Sequence, residues 1–219
     1  MESPQEQMAK DKTFFDVYSY AEDSTPQGAM DDPNRAAIRR RTKEVLAGLG
    51  RGIKILDAAC GLGQDTRYLA SLGHKAWGID SSTKAIRIAQ HHFPELPFIH
   101  AAIDTHLPFE DLFFDMVYSC LTIAHVLDTR KMFSEFNRVL VPGGHLVVIT
   151  PYHGLLKNLV LAVYGFERHF QVDGESIRFY SRKSLRNILH ANGFSVESMW
   201  RIGRIPPLAK ALYTVACKA

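Results

Sequence analysis

The chain has 219 residues, 46% hydrophobic and 22% charged, so it holds enough apolar material to bury the core of one globular domain. Its formal net charge of +3 is too small to predict a nucleic-acid or membrane-surface partner. The three cysteines form no CxxC pair, and the opening segment lacks the apolar core of a secretory signal. The longest apolar segment, residues 154–166, is too short to span a bilayer. We therefore expect a cytoplasmic protein without disulfides and without an integral membrane segment.

Residues 1–50 predict an N-terminal helical cap. A first short helix carries apolar side chains on one side, namely Phe14, Phe15 and Tyr18. A second helix begins at Pro33 and ends near Leu49, before Gly50. It contains the basic run RRRTK at 39–43, where no aromatic residues interleave the charges, which predicts a solvated helix face and no nucleic-acid surface.

Residues 51–151 alternate between apolar strands and amphipathic helices. The predicted strands cover residues 53–59, 75–80, 97–103, 113–121 and 143–151. Predicted helices lie at 66–72, at 83–92 after a cap at Ser81 or Ser82, and around residues 132–140. This alternation indicates βαβ units and a parallel sheet that is covered on both faces.

The alternation stops after Pro151. Residues 152–180 predict a helical insertion, and residues 181–219 predict a last helix, capped by Ser181, and two final strands. The predicted fold is thus a single α/β domain, Rossmann-like and doubly wound. Its seven-stranded sheet is mostly parallel, with one antiparallel late strand and a helical insertion or lid.

The first strand leads into the segment ILDAACGLGQD at 55–65, the first candidate for a ligand site. Gly61 and Gly63 let the backbone turn sharply and approach a ligand closely. Asp80 ends the second strand, nineteen residues after Gly61, where a carboxylate can accept both ribose hydroxyls. These features fit a dinucleotide and S-adenosylmethionine equally well, because both contain an adenosine ribose.

Three details of the same turn favour S-adenosylmethionine. The third glycine of a dinucleotide motif is replaced by Thr66. Asp65 lies in the first turn of the helix, where it is expected to repel a diphosphate. Asp57 ends the first strand and can face an ammonium group.

Five motifs in chain order carry a resemblance to a known family. They are ILDAACGLG, GIDSS, AAIDTHLPFEDLFFDMVYSCLTIAHV, FNRVLVPGGHLVVITP and FYSRKSLRNILHANGF, within residues 54–194. The chain resembles the class I S-adenosylmethionine-dependent methyltransferases, in particular the small-molecule branch that includes quinone-biosynthesis enzymes. The resemblance implies S-adenosylmethionine as cofactor and S-adenosylhomocysteine as product.

The resemblance also implies roles for individual residues. Residues of the first turn bind the methionine part, Asp80 binds the ribose, and the segments after the second, third and fourth strands contact the adenine and the methionine side. The implied cofactor residues are Asp57, Ala59, Cys60, Gly61, Gly63, Gln64, Asp80, Ser81, Ile103, Asp104, Thr105, Ser119, Cys120 and Leu121. The family usually has a third glycine near Gln64, and here the sequence departs from its pattern.

His125, just after the fourth strand, is the candidate general base, because imidazole accepts protons near neutral pH. A packed, inert histidine is the alternative interpretation. Tyr20, Tyr152 and His153 are candidates for orienting the acceptor, with helix capping as the alternative for His153. No HExxH or paired Cys/His spacing occurs, so no metal site is expected.

The aromatic and aliphatic residues of the cap and insertion predict a small, partly apolar acceptor. Oxygen is the favoured methylation site, with nitrogen and carbon left open. A nucleic-acid acceptor is not expected, since SCLT follows the fourth strand where nucleobase methyltransferases carry an Asn/Asp-Pro-Pro-Tyr/Phe motif. Two alternatives from other classes are an NAD-type oxidoreductase and a catalytically inactive S-adenosylmethionine-binding protein.

Overall fold

The computed structural model describes residues 33–155, 158–159, 163, 178–203 and 209–219. The helices are α1 (Pro33–Ala47), α2 (Gln64–Ser71), α3 (Thr83–His92), α4 (Thr129–Val139) and α5 (Arg182–Ala191). The strands are β1 (Lys54–Ala58), β2 (Lys75–Asp80), β3 (Phe98–His100), β4 (Phe114–Cys120), β5 (Leu140–Pro151), β6 (Phe194–Ile202) and β7 (Ala211–Lys218).

The strands form one seven-stranded sheet in the order β3-β2-β1-β4-β5-β7-β6. The pairs from β3 to β5 are parallel, whereas β7 is antiparallel to both of its neighbours. Because β6 therefore runs in the same direction as β5, β7 is the antiparallel strand of this sheet. The predicted fold class is confirmed, including the reversed late strand.

Local sequence explains most element boundaries. Ser82 caps α3 by accepting a hydrogen bond from Ala85 N, which decides between the two predicted serines. Ser181 caps α5 as predicted. The helix α2 begins two residues earlier than predicted, directly after its N-cap Gly63. Strand β3 is shorter than predicted because the chain turns after it, with Thr105 N donating to Ala102 O.

Two main apolar clusters cover the two faces of the sheet. Side chains of α4 and α5 pack on one face, and side chains of α1 and α2 pack on the other. The basic run at 39–43 is a solvated face only in part. Arg40 and Lys43 are exposed, but Thr42 is buried and Arg39 turns toward α2. The spacing of charges alone does not reveal this, because the buried positions of α1 are set by its contact with the sheet.

The predicted cap residues before Pro33, including Phe14, Phe15, Tyr18 and Tyr20, lie outside the described residues, as does most of the predicted insertion. Within that insertion, residues 155, 158, 159 and 163 are helical. A parallel bridge joins Tyr152 to Tyr180, so the two ends of the insertion are adjacent. None of the helices among the described residues has the length and apolar content needed to cross a membrane.

Candidate functional site

The carboxyl ends of β1, β2 and β4 meet at one edge of the sheet. In the register of the sheet, Asp57 lies beside Gly78 of β2 and Tyr118 of β4. Asp80, the last residue of β2, therefore lies two residues further toward the carboxyl ends of the strands than Asp57. Ser119 of β4 lies one residue further. Predicted residues from three separate parts of the sequence come together at this edge, where doubly wound sheets bind ligands.

The turn after β1 has a backbone that few residues adopt. The φ angles of Ala59, Gly61 and Gly63 are 66°, 53° and 82°. A positive φ is uncommon for alanine and indicates local strain, of the kind that clusters at functional sites. At Gly63 a Cβ atom would lie 2.7 Å from the ring of Phe98. Gly63 is thus required both by its backbone conformation and by this close contact.

Asp80 is joined directly to this turn. Its Oδ2 accepts a hydrogen bond from Gly61 N at 2.9 Å, and its Oδ1 accepts one from Ser82 N at 2.9 Å. Hydrogen bonds from backbone N–H groups favour the ionised carboxylate. The predicted ribose acid and the predicted glycine turn therefore form one unit with a fixed relative position.

Asp57 faces the helix that follows the turn. It is 1% exposed, and its Oδ2 accepts a hydrogen bond from Thr66 Oγ1 at 2.7 Å. Burial, and secondly the negative charge of Asp65, raise the pKa of Asp57 to about 7. Thr66, which replaces the glycine of a dinucleotide motif, thus serves as a partner for this acid. A cation next to Asp57 would favour its ionised form.

Asp65 is not the unbalanced negative charge that the sequence suggests. Arg35 Nη2 donates to Asp65 Oδ2 at 2.8 Å, and Arg39 Nη2 lies 3.2 Å from Oδ1. Arg39 also donates to the carbonyl of Gln64 at 3.1 Å. Two guanidinium groups of α1 offset its charge, so the expected repulsion of a diphosphate by Asp65 is weaker than the sequence alone indicates.

Arg35 and Arg39 were not among the predicted site residues. They lie four residues apart on one face of α1, which is the spacing that places two side chains against one partner. The available signal was Asp65 itself, an acid near the first turn of a buried helix that needs a cationic partner when it leaves water.

The residues predicted to contact adenine lie after β2 and β3. Ile103 is buried and Asp104 is half-buried. Thr105 is exposed, and its Oγ1 donates to Ala102 O at 2.8 Å, which closes the turn. Ser81 is half-buried, and its carbonyl oxygen lies 2.8 Å from His100 Nε2.

The end of β4 contributes three predicted cofactor residues. Ser119 is fully buried, and its hydroxyl has no hydrogen-bond partner among the residues that the structure describes. Cys120 is half-buried, and Leu121 is 41% exposed with a φ of 61°. A buried hydroxyl without a partner is unfavourable by about 1–3 kcal/mol, which a ligand acceptor or donor would offset.

His125 lies in the segment after β4 and is half-buried, with its backbone N–H donating to Thr122 O at 2.9 Å. Residues from the far side of the insertion hold this segment. Arg178 donates to the carbonyls of Val126 and Leu127, and Tyr180 Oη donates to Ile123 O. The position of His125 therefore depends on the C-terminal end of the insertion.

The two described candidates for orienting an acceptor are buried. Tyr152 is 5% exposed and belongs to the apolar cluster under α4 and α5. His153 is also 5% exposed; its Nδ1 lies 3.2 Å from Asn158 Oδ1, and its ring packs edge-on against Phe179. The third candidate, Tyr20, lies outside the described residues.

Comparisons with known proteins identify a family model, curated relatives and solved structures that are similar to this chain. A family model described as a methyltransferase domain matches residues 56–148. The O-methyltransferase rstn1 of Aspergillus nomiae is 33% identical over 187 residues, which cover 77% of this chain and 79% of that protein. The phthiotriol/phenolphthiotriol dimycocerosates methyltransferase of Mycobacterium tuberculosis is 31% identical over 167 residues, 72% of this chain and 59% of that protein.

The chain thus spans about three-fifths of the length of the mycobacterial relative. Among solved structures, the 1,6-didemethyltoxoflavin-N1-methyltransferase of Burkholderia thailandensis, with bound 1,6-didemethyltoxoflavin and S-adenosylhomocysteine, superimposes with a TM-score of 0.66. It is 20% identical, and the match covers 100% of this chain and 92% of that one. At this identity the likeness concerns the fold alone.

Proposed function

Because the chain belongs to the class I S-adenosylmethionine-dependent methyltransferases, we propose that it transfers a methyl group from S-adenosylmethionine to oxygen of a small, partly apolar acceptor. The observation that carries this proposal is the unit formed by Asp80 and the turn at Gly61, joined by a hydrogen bond of 2.9 Å. Membership of this family removes the support for an NAD-type oxidoreductase.

The residues at the sheet edge suit the two polar ends of this cofactor. Asp80 would accept the ribose hydroxyls, and Asp57 would face the ammonium group of the methionine part. The buried hydroxyl of Ser119 supports a polar ligand at the same edge of the sheet, since it has no partner among the described residues. S-adenosylmethionine supplies a methyl group on a sulfonium, which is an excellent leaving group.

Several exposed apolar side chains support a partly apolar acceptor. Leu121 and Leu127 flank His125, whereas Leu155, Leu159, Val163 and Phe179 belong to the insertion or adjoin it. Large exposed apolar groups are typical of ligand or partner surfaces. The relative named as an O-methyltransferase supports oxygen as the methylated atom.

His125 would take the proton of an acceptor hydroxyl. A phenol or alcohol must lose its proton as the new bond to the methyl carbon forms, and a positioned base contributes about 10²–10⁴-fold to such a step. Arg178 and Tyr180 would keep the His125 segment in position through their bonds to its carbonyls. Holding acceptor and methyl group in line, with water excluded, would supply the rest of the rate enhancement.

The test combines cofactor binding with methyl transfer. Calorimetric titration with S-adenosylmethionine, S-adenosylhomocysteine and NADH should show binding of the first two only. A panel of phenols, quinols, aliphatic alcohols and amines, incubated with deuterated S-adenosylmethionine, should then yield labelled methyl ethers. Labelled amines or carbon-methylated products would overturn the choice of oxygen, and tight cofactor binding without any labelled product would favour a catalytically inactive binding protein.

A further inference from the structure

Three metal-ligating side chains converge on the late part of the sheet. His145 comes from β5, Glu197 from β6 and Cys217 from β7, and these are adjacent strands. In the sheet register, Cys217 lies opposite both His145 and Ser195. The register shifts between Val196 and Ser198, so Glu197 is the extra residue of a bulge. The bulge brings its carboxylate to the same place as the imidazole and the thiol.

The distances between the donor atoms suit one ion. An imidazole nitrogen of His145, Sγ of Cys217 and a carboxylate oxygen of Glu197 all lie within 4.8 Å of one another. His145 Nε2 and Glu197 Oε2 are 3.6 Å apart. Ligands of a tetrahedral Zn²⁺ ion are separated by about 3.3–3.6 Å, given bonds of about 2.0–2.3 Å. Glu197 is exposed, so its side chain can rotate toward an ion held by the other two ligands.

This cluster is separate from the candidate cofactor site. His145 pairs with Met116, three residues before Ser119, so at about 3.3 Å per residue it lies about 10 Å back along the strands. Its side chain lies on the face of Val147 and Ile149, whereas Ser119 lies on the face of Val117. The ion would therefore lie away from the reacting groups.

We propose that His145, Glu197 and Cys217 form a binding site for a divalent transition-metal ion of the Zn²⁺ type. One nitrogen, one sulfur and one oxygen donor match the ligand preferences of Zn²⁺, and water completes the fourth position because the cluster is partly exposed. The sequence contains no metal-binding motif, and the prediction that no metal site exists rests on that spacing. Here three different strands supply the ligands, so residue spacing along the chain does not show that the ligands are close together.

Binding couples to a proton. The thiol of Cys217 loses its proton to solvent as the metal–sulfur bond forms, and His145 binds through neutral imidazole. Because the ligands come from β5, β6 and β7, the ion would link the antiparallel strand to both of its neighbours. Metal binding should therefore raise the melting temperature, and it should weaken as pH falls.

Cobalt is the direct probe, since a thiolate bound to Co²⁺ gives an intense ligand-to-metal charge-transfer absorption. The chelator-treated full chain is titrated with Co²⁺, and Zn²⁺ is then added to displace it. We expect one Co²⁺ per chain, with a charge-transfer band that is lost in Cys217→Ala. His145→Gln and Glu197→Gln should weaken binding at least tenfold. The exposed Glu197→Gln tests the site even if a change at His145 impairs folding.

Matched controls are available on other elements. His92→Gln and Glu44→Gln remove the same chemical groups elsewhere and should leave Co²⁺ binding unchanged. Zn²⁺ should also slow alkylation of the half-buried Cys217. A Co²⁺ titration without a charge-transfer band, or a band that persists in Cys217→Ala, would overturn the proposal.

Discussion

At the end of β1, Asp57 is a carboxyl group that folding removes from water. Folding raises its pKa from 3.8 to about 7. At a pH between these two values, the folded chain keeps a proton on Asp57 that the unfolded chain has released. Keeping this proton contributes to the free energy of unfolding. The contribution is fully present below about pH 4 and is lost as pH rises through about 7. The shift sets an upper bound of about 4 kcal/mol on this contribution.

Asp57→Asn should remove that pH dependence. The amide keeps an acceptor for Thr66 but cannot ionise, so the variant should melt at a higher temperature than the original chain at about pH 8. At about pH 5 the two melting temperatures should differ less. Thermal unfolding followed by circular dichroism across this range measures the effect, with Asp104→Asn as the matched control. Equal pH profiles for Asp57→Asn and the original chain would contradict the prediction.

Asp80 provides the second prediction for a single side chain. Asp80→Ala removes the proposed acceptor of the ribose hydroxyls, and hydrogen bonds to a charged group contribute about 1.5–3 kcal/mol. The dissociation constant for S-adenosylmethionine should rise by about tenfold or more, as calorimetry would show. Asp80→Asn keeps an acceptor oxygen, so its dissociation constant should lie between those of the original chain and Asp80→Ala. A folded Asp80→Ala chain with unchanged affinity would remove Asp80 from the site.

The acids of this sheet edge could be predicted from the sequence, but their surroundings could not. Asp57 and Asp80 could be found because each ends an apolar strand, and the ends of parallel strands meet at one edge. The raised pKa of Asp57 could not be predicted, because it depends on burial and on the nearby Asp65. The balancing of Asp65 by Arg35 and Arg39 depends in turn on how α1 packs against α2.

At the scale of elements, the contact between the β1–α2 turn and β3 depends on Gly63. Gly63→Ala places a methyl group 2.7 Å from the Phe98 ring and imposes a φ of 82° on alanine. The backbone alone costs about 1–2 kcal/mol, and displacement of a buried ring adds to this. Urea denaturation should show the loss, and cofactor binding should weaken because the turn moves.

The chain offers a control for the backbone part of this effect. Gly73 has a φ of 89° with no atom within 4 Å of an added Cβ, so Gly73→Ala should show the backbone cost alone. The double variant Gly63→Ala/Phe98→Leu should recover part of the difference between the two glycine variants. If Gly63→Ala costs no more than Gly73→Ala, the contact with Phe98 is unimportant.

Local sequence chemistry predicted the boundaries of the elements better than it predicted the order of the strands. The caps at Ser82 and Ser181 and the reversal of one late strand were predicted from capping residues and from the break in alternation. The insertion of β7 between β5 and β6 was not, because hydrophobic periodicity carries no information on which strands are neighbours. For the same reason, the cluster of His145, Glu197 and Cys217 could not be predicted from the sequence.

For the whole molecule, family membership and strand topology both point to S-adenosylmethionine as the cofactor. Its site is assembled from several strands, so we expect it to bind the folded chain and not the unfolded one. Such a ligand at about one hundred times its dissociation constant stabilises the chain by about 2.7 kcal/mol. For a domain of this size each kcal/mol raises the melting temperature by about 2–4 °C. S-adenosylmethionine and S-adenosylhomocysteine should each raise it by about 5–10 °C, whereas NADH should not.

The size of that stabilisation should depend on pH through Asp57. Below about pH 7, the ammonium group of the cofactor can meet an ionised Asp57 only after the carboxyl group releases its proton, and this release reduces the net gain. At a fixed S-adenosylmethionine concentration, the rise in melting temperature should therefore be larger at about pH 7 than at about pH 5.5, since an amino group stays protonated at both values. Asp57→Asn should show a smaller rise that is the same at both values. A rise with the same pH dependence in both chains would place the ammonium group away from Asp57, while leaving the ribose contact of Asp80 to be judged by its own variant.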